Sequence, residues 1–272
     1  MNLVDVTLRD GGFTCDFDWP IEFAQEYYNL MCELGVSYVE MGYWKQTAKS
    51  KNRFFNLDIE TVKEVTGEQG KNNVSVMIDY SYCSKDLNDY PTDNQNEIKM
   101  IRMTCRKDMV KEGFDFAVKL KKHTNLEIAF NLFNTTNYTD DELNSALDIV
   151  LDSDFDIMCL ESPYVDFCDT SVMSLGKGAG NLKLENVLDD DKSLRLNQFI
   201  HKYYESLFKK TVSPYLLVTG RYGITDHYAT QARKLDLDMN TFIKFCSTVT
   251  GLNRDNFNKD LLTSFNSYRW LS

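Results

Sequence analysis

No apolar run in this 272-residue chain approaches the ~20 residues that cross a bilayer, and the N-terminus lacks the basic-then-apolar layout of a secretory leader. Both absences lead to the expectation of a cytoplasmic, globular protein. The seven cysteines include no C-x-x-C pair and are odd in number, which argues against a disulfide framework or a zinc ribbon. Cations are in short supply: 30 Lys and Arg face 41 Asp and Glu, for a formal charge of −11. Such a surface repels phosphate backbones, so nucleic acid is not an expected partner. Neither G-x-x-x-x-G-K-[ST] nor G-x-G-x-x-G occurs, which removes two glycine-rich phosphate cradles.

What the chain does have is alternation. Short apolar, β-branched runs recur, each followed by residues at helical spacing, the pattern of βα units around a parallel sheet. Six runs read as strands: Leu3 to Leu8, Tyr38 to Met41, Val74 to Ile78, Ile98 to Met103, Leu126 to Phe133 and Asp156 to Leu160. Helices are expected over Ile21 to Leu34, near Asp58 to Thr66, and over Asp108 to Lys122. A fourth starts at the capping box Thr139-Asp-Asp-Glu142 and runs to about Leu151. Tyr27-Tyr28 and Tyr203-Tyr204 read as packing residues. From Asp189 the texture turns helical, over Ser193 to Lys209, Asp226 to Leu235, Met239 to Thr248 and Arg254 to Ser264, with turns at Ser213-Pro214, Gly220, Gly223 and Gly251. The expected organisation is a barrel domain over 1–188 and a helical region over 189–272, the latter placed to cover the barrel, self-associate or dock a partner enzyme.

Polar residues end nearly every strand: Arg9 and Asp10, Glu40, Asp79, Arg102, Asn131 and Glu161. In a parallel barrel all C-terminal strand ends open on one rim, so these residues would line one pocket. Any one of them alone is as readily a plain strand-end polar group. The opening is densest. Thr7-Leu-Arg-Asp-Gly-Gly12 sets a carboxylate able to ligate a divalent cation beside a guanidinium able to meet an oxyanion, with glycines that let backbone approach a ligand. A second glycine-rich stretch, Ser174-Leu-Gly-Lys-Gly-Ala-Gly-Asn181, follows the run Val165 to Val172; by itself it is more readily a turn than a site.

Together, VDVTLRDGGF, YVEMGYW and SLGKGAGNLKLE resemble the metal-dependent aldolase and lyase barrels, which include 4-hydroxy-2-oxovalerate aldolase, hydroxymethylglutaryl-CoA lyase and isopropylmalate synthase. The resemblance spans about residues 2–188 and is strongest to aldolase-like members that open T-L-R-D-G-G. It implies an α/β fold, a TIM-type (β/α) barrel with a divalent metal, Mg²⁺ or Mn²⁺, at its C-terminal rim. The implied reaction cleaves or forms a carbon–carbon bond beside the carbonyl of a 2-oxo acid such as pyruvate. Carried onto this chain, the resemblance implies Asp10 and Asn181 as metal ligands and Arg9 as the group that stabilises the enolate oxygen. Tyr43 or water would carry the proton, and Glu40, Arg102, Asn131, Glu161, Gly178 and Gly180 would line the substrate pocket.

The pattern breaks in three places. Such barrels carry H-x-H on the seventh strand, and this chain has none. Its three histidines, His123, His201 and His227, read as surface or packing residues in helical segments. Phe13 stands where some relatives place a catalytic histidine. Only Pro163, Tyr164 and Val165 separate Glu161-Ser162 from the run that starts at Asp166, too few for the dozen or so residues of a parallel crossover. At least one βα unit is therefore missing from the expected barrel. A catalytically degenerate relative that binds a metabolite or a protein partner is the alternative reading. Trp44 to Arg53 places four cations on the same rim, either as a clamp for a carboxylate or phosphate or as a solvated loop. Asp189-Asp-Asp191 reads as a capping run before a helix.

Overall fold

The computed structural model describes residues 2–44, 52–67, 73–92, 97–133, 138–151, 157–159, 167–176, 181–208, 214–254 and 256–268. Among the described residues eight parallel strands form one sheet: β1 (Asn2–Asp5), β2 (Tyr38–Tyr43), β3 (Val74–Asp79), β4 (Ile98–Cys105), β5 (Glu127–Leu132), β6 (Ile157–Cys159), β7 (Phe167–Ser171) and β8 (Leu182–Lys183). Their order is β6-β5-β4-β3-β2-β1-β7-β8. Because β8 has two residues, seven strands carry the curl, and the α/β fold is a half-barrel of TIM type. The helices α1 (Ile21–Leu34), α2 (Ile59–Thr66), α3 (Val110–Thr124) and α4 (Asp140–Leu151) lie in the crossovers. β7 pairs with β1 and β6 with β5, so the two strands too close in sequence for a parallel crossover do not pair with each other. Among the described residues no ladder joins β6 to β7 or β8.

The strand period of two sorts the side chains. Val39, Met41, Val74, Val76, Ile78, Ile101 and Ile128 face the helices in the main core, while Val4, Val6, Tyr38, Met100 and Ala129 form a smaller apolar floor on the concave side. Helix α1 buries Phe23, Ala24, Tyr27, Tyr28, Met31 and Leu34 and ends on Gly35 at φ 77°, the left-handed stop that glycine adopts without strain. The Thr139 capping box forms as expected, with Thr139 N donating to Glu142 at 2.8 Å and Glu142 N to Thr139 Oγ1 at 3.3 Å.

Two expectations need correction. β1 stops at Asp5 instead of Leu8, because Asp10 N and Gly11 N donate to the Val6 carbonyl at 2.7 and 3.4 Å and turn the chain through Thr7–Asp10. The turn expected at Gly220 gives way to a helix over Pro214–Tyr222, with proline in the first turn, where its missing N–H costs no hydrogen bond; Ser213 lies outside the described residues. The described residues fall into two compact units, one within 2–176 and 181–208 and the other within 214–268. Helix α5 (Asp190–Tyr203), capped by Asp189, sits in the first unit. Its Phe199 and Tyr203 pack on Phe23, and Lys202 bonds Glu26 at 2.6 Å. The second unit contains α6 (Pro214–Tyr222), α7 (His227–Lys234), α8 (Met239–Thr248) and α9 (Lys259–Tyr268) around Tyr228, Phe242, Phe245 and Leu262. No helix among the described residues is long and apolar enough to cross a membrane.

Beneath β1 lies a polar group that the sequence reading passed over. The Asp5 carboxylate is fully buried against α1 and accepts from Thr7 N at 3.2 Å, Thr7 Oγ1 at 2.8 Å and the Tyr27 hydroxyl at 2.8 Å. Tyr27, read as packing, is thus also a hydrogen-bond donor. Burial outweighs these donors, and with the Glu40 charge adding to it, lifts the Asp5 carboxyl from 3.8 to about 7. The folded state therefore keeps a proton that the unfolded chain releases. The resulting stabilisation is complete below pH 3.8 and is lost as pH rises through about 7. Relative to Asp5→Asn, the wild type should lose roughly 4 kcal/mol across that window, at about 1.4 kcal/mol per unit. Urea midpoints measured at stepped pH check this, and parallel curves for the two proteins would refute it.

Candidate active site at the rim of the half-barrel

Three strands, the turn after β1 and the residue before β8 deliver one cluster. Glu40 lies on the concave side of β2, opposite Ser75 in the ladder, because Val39 and Met41 take the helix side. Its carboxylate is fully buried and accepts from Arg9 Nε and from Arg102 Nη1, the latter at 3.0 Å. Arg102, on β4 and 2 % exposed, reaches Asp169 on β7 with Nη2 at 2.8 Å. Arg9, in the turn after β1, also donates Nη1 to Asp10 Oδ1 at 2.6 Å. The other Asp10 oxygen accepts from Asn181 Nδ2 at 2.8 Å, and the same nitrogen bonds the Leu175 carbonyl at 2.9 Å. Tyr43 completes the group, with its ring 5.8 Å from the Arg9 guanidinium carbon.

Arg9, Asp10, Glu40, Arg102, Tyr43 and Asn181 are therefore brought together. Burial opposes the Arg9 charge, yet Glu40 and Asp10 outweigh it and hold the guanidinium well above its ordinary range. Burial, with Asp10 and Glu40 adding to it against Arg9, pushes the Tyr43 phenol up to about 12. At neutral pH Tyr43 is a neutral donor.

Asn131 is on the same face of β5 as Ala129, two residues further on, and its buried Oδ1 meets no donor among the described residues. Asp79 serves its own turn, accepting from Ser81 N at 2.8 Å. Glu161, Gly178, Gly180 and the lysines of 45–51 lie outside the described residues. Arg53 pairs with Glu64 at 2.6 Å. His123, His201 and His227 are exposed. Asp169 was not among the residues expected at the site, although it is the one charged residue of the strand Phe167-Cys-Asp-Thr-Ser171. The paired glycines also make room for packing. A Cβ on Gly11 would stand 3.1 Å from Leu175 Cβ, and one on Gly12 would overlap the Phe17 ring, so both glycines admit neighbouring side chains. Two cavities of about 410 Å³, one lined by Lys107, Tyr138 and Ile149 and one by Tyr80, Lys85 and Phe116, lie away from the cluster.

The expected Mg²⁺ or Mn²⁺ does not fit these donors. A hard cation needs several oxygens facing it, but both Asp10 oxygens already accept from N–H donors and Asn181 presents nitrogen. Flipping that amide would set its oxygen against Asp10 and the Leu175 carbonyl, two acceptors, so the orientation is fixed by its neighbours. Among the described residues no three His, Cys, Asp or Glu side chains form a metal-sized group.

No family model and no curated protein sequence matches the chain. Its fold is similar to that of the N-terminal domain of an inferred aldolase from Bacteroides vulgatus, with a TM-score of 0.64 at 17% identity, covering 90% of this chain and 99% of that one. Bacillus subtilis HMG-CoA lyase gives 0.55 at 13% identity, covering 80% and 97%. The carboxyl transferase domain of Rhizobium etli pyruvate carboxylase, solved with pyruvate, gives 0.51 at 10% identity, covering 100% and 62%. Likeness at these identities shows the fold.

Removing Arg102 strips the buried Glu40 carboxylate of one of its two guanidiniums. Arg102→Met should cost about 3–5 kcal/mol, the range for breaking a buried pair, and adding Glu40→Gln should recover part of it. Chemical unfolding of the single and double variants checks this; strictly additive losses would show that the pair is not coupled.

Proposed function

We propose that this chain is an aldolase- or lyase-type protein that binds a small 2-oxo acid beside Arg9 and forms or breaks the carbon–carbon bond next to its carbonyl. The observation that carries the reading is the convergence of Arg9, Glu40, Asp10 and Tyr43 at the C-terminal strand ends of a half-barrel. Two features support it: the T-L-R-D-G-G opening, and the likeness of the fold to an inferred aldolase, a lyase and a carboxyl transferase domain solved with pyruvate.

Arg9 is fixed on two sides, by Glu40 at Nε and Asp10 at Nη1. Its remaining edge presents N–H donors that cannot swing away, and a planar guanidinium fits both the carboxylate of a 2-oxo acid and the oxygen on which enolate charge grows. Tyr43, a neutral phenol until about pH 12, donates a hydrogen bond to that oxygen or returns a proton to carbon.

A second reading has its own observation in its favour. Each charged group named in the cluster already has an internal partner, as befits a degenerate relative that binds an anionic metabolite without turning it over. Exchange of the pyruvate methyl protons in D₂O, followed by NMR, separates the two. The aldolase-type reading expects exchange above the buffer rate, reduced on the order of 100-fold in Arg9→Lys, as when one oxyanion donor is misplaced. Binding of oxalate, an enolate mimic, with no exchange would favour the degenerate reading. Neither binding nor exchange would overturn both.

A further inference from the structure

We infer that the Asn181 amide occupies the position of a cation in this chain, so that Asp10, Asn181 and the Leu175 carbonyl form a metal-free clasp between the turn after β1 and the segment after β7. Three observations meet here. The Asn181 Nδ2 stands 2.8 Å from Asp10 Oδ2 and 2.9 Å from the Leu175 carbonyl, bridging two oxygens as a small cation would. The opposite Asp10 oxygen is taken by Arg9 at 2.6 Å, which places positive charge where a metal would otherwise be attracted. Gly176 closes the remaining side, since a Cβ on it would overlap both Asn181 Nδ2 and Asp10 Oδ2. The backbone thus packs directly on the contact, in the space that a metal's waters would need.

The clasp has a structural task independent of any substrate. It fastens the segment that leaves β7, together with the Val172 N to Thr7 Oγ1 bond at 2.9 Å and the close approach of Gly11 to Leu175. The same geometry states what would reintroduce a metal. Asn181→Asp puts two carboxylates and one carbonyl around a single point, a hard oxygen set that repels itself unless a cation enters. The inference goes beyond the 2-oxo acid reading and stands whether or not such an acid is turned over.

The test uses the full chain with Mn²⁺ alone as probe, read by the Mn²⁺ electron paramagnetic resonance signal and by thermal denaturation in EDTA or in excess Mn²⁺. The wild type is expected to leave the free-ion signal undiminished at millimolar metal and to melt at the same temperature in both conditions. Asn181→Asp is expected to melt lower in EDTA, to recover with Mn²⁺, and to quench the signal. Stoichiometric uptake of Mn²⁺ by the wild type at micromolar metal, lost in Asp10→Asn, would overturn the inference. So would an Asn181→Asp protein that melts like the wild type and takes up no Mn²⁺. Should that variant fail to fold in EDTA but fold on refolding with Mn²⁺, the clasp is supported; failure in both leaves the wild-type titration to decide by itself.

Discussion

The rim is organised by one fully buried carboxylate. Glu40 has no water to solvate it and accepts from two guanidiniums, Arg9 in the turn after β1 and Arg102 on β4. An unpaired charge at that depth would cost several kcal/mol, so the arginines have to be where they are for the sheet to close over it. Because successive strand residues point to opposite faces, a one-residue slip of β2 would turn Glu40 toward the helices and Val39 or Met41 toward the arginines. The ion pairs therefore fix register across β1, β2 and β4, and through Asp169 they extend it to β7. A buried apolar residue in place of Glu40 could fill the space, but it would not discriminate between registers in this way.

The seam between β1 and β7 carries a second consequence. In a closed barrel each strand has a full neighbour on both sides. Here β7 has β1 on one side and the two-residue β8 on the other. Side-chain bonds reinforce that seam at two places, on the helix side of β1 and beyond its C-terminal end. On the helix side, Asp5, Thr7 and Tyr27 join, and Thr7 accepts from Val172 N. At the strand end, Asp10 holds Asn181. The two networks share a backbone: the turn that begins with Asp10 N on the Val6 carbonyl sets both Thr7 and Asp10 in place. The Thr7-Leu-Arg-Asp stretch is thus one device that ends a strand, fastens its neighbour and delivers Arg9 to the rim.

What was legible in the sequence followed from periodicity. The limits of α1 and the positions of β2 to β5 could be read because apolar residues recur at spacings of two or of three to four. The break in the barrel could be read because crossover length is a geometric limit. Arg9, Asp10 and Glu40 could be grouped because they follow strands that a parallel sheet brings to one rim, whereas Asn181 joined them only through the family resemblance of its glycine-rich stretch. Asp169 and Asp5 escaped notice, and for different reasons. Asp169 has a partner 67 residues away in the chain, Arg102, a distance no local pattern reports. Asp5 looks like any polar residue in an alternating strand, and its burial depends on Tyr27 arriving from a helix that pattern reading assigns to packing. The direction of the Asn181 amide was equally hidden, since the sequence supplies the residue but not which of its two atoms faces Asp10.

That last distinction bears on the chemistry the rim can do. Two guanidiniums, Arg9 and Arg102, stand among three carboxylates, Glu40, Asp10 and Asp169. The cluster therefore draws no anion by net charge. Arg9 offers a different advantage: its orientation is set before any ligand arrives, so the entropic cost of aligning a long side chain has already been met by folding. A preorganised donor in a poorly solvated place acts on charge that develops during reaction more than on charge already present in the ground state. A rim built in this way is better suited to holding a growing enolate oxygen than to capturing a carboxylate from solution, and the paired carboxylates around Arg9 are what keep it so.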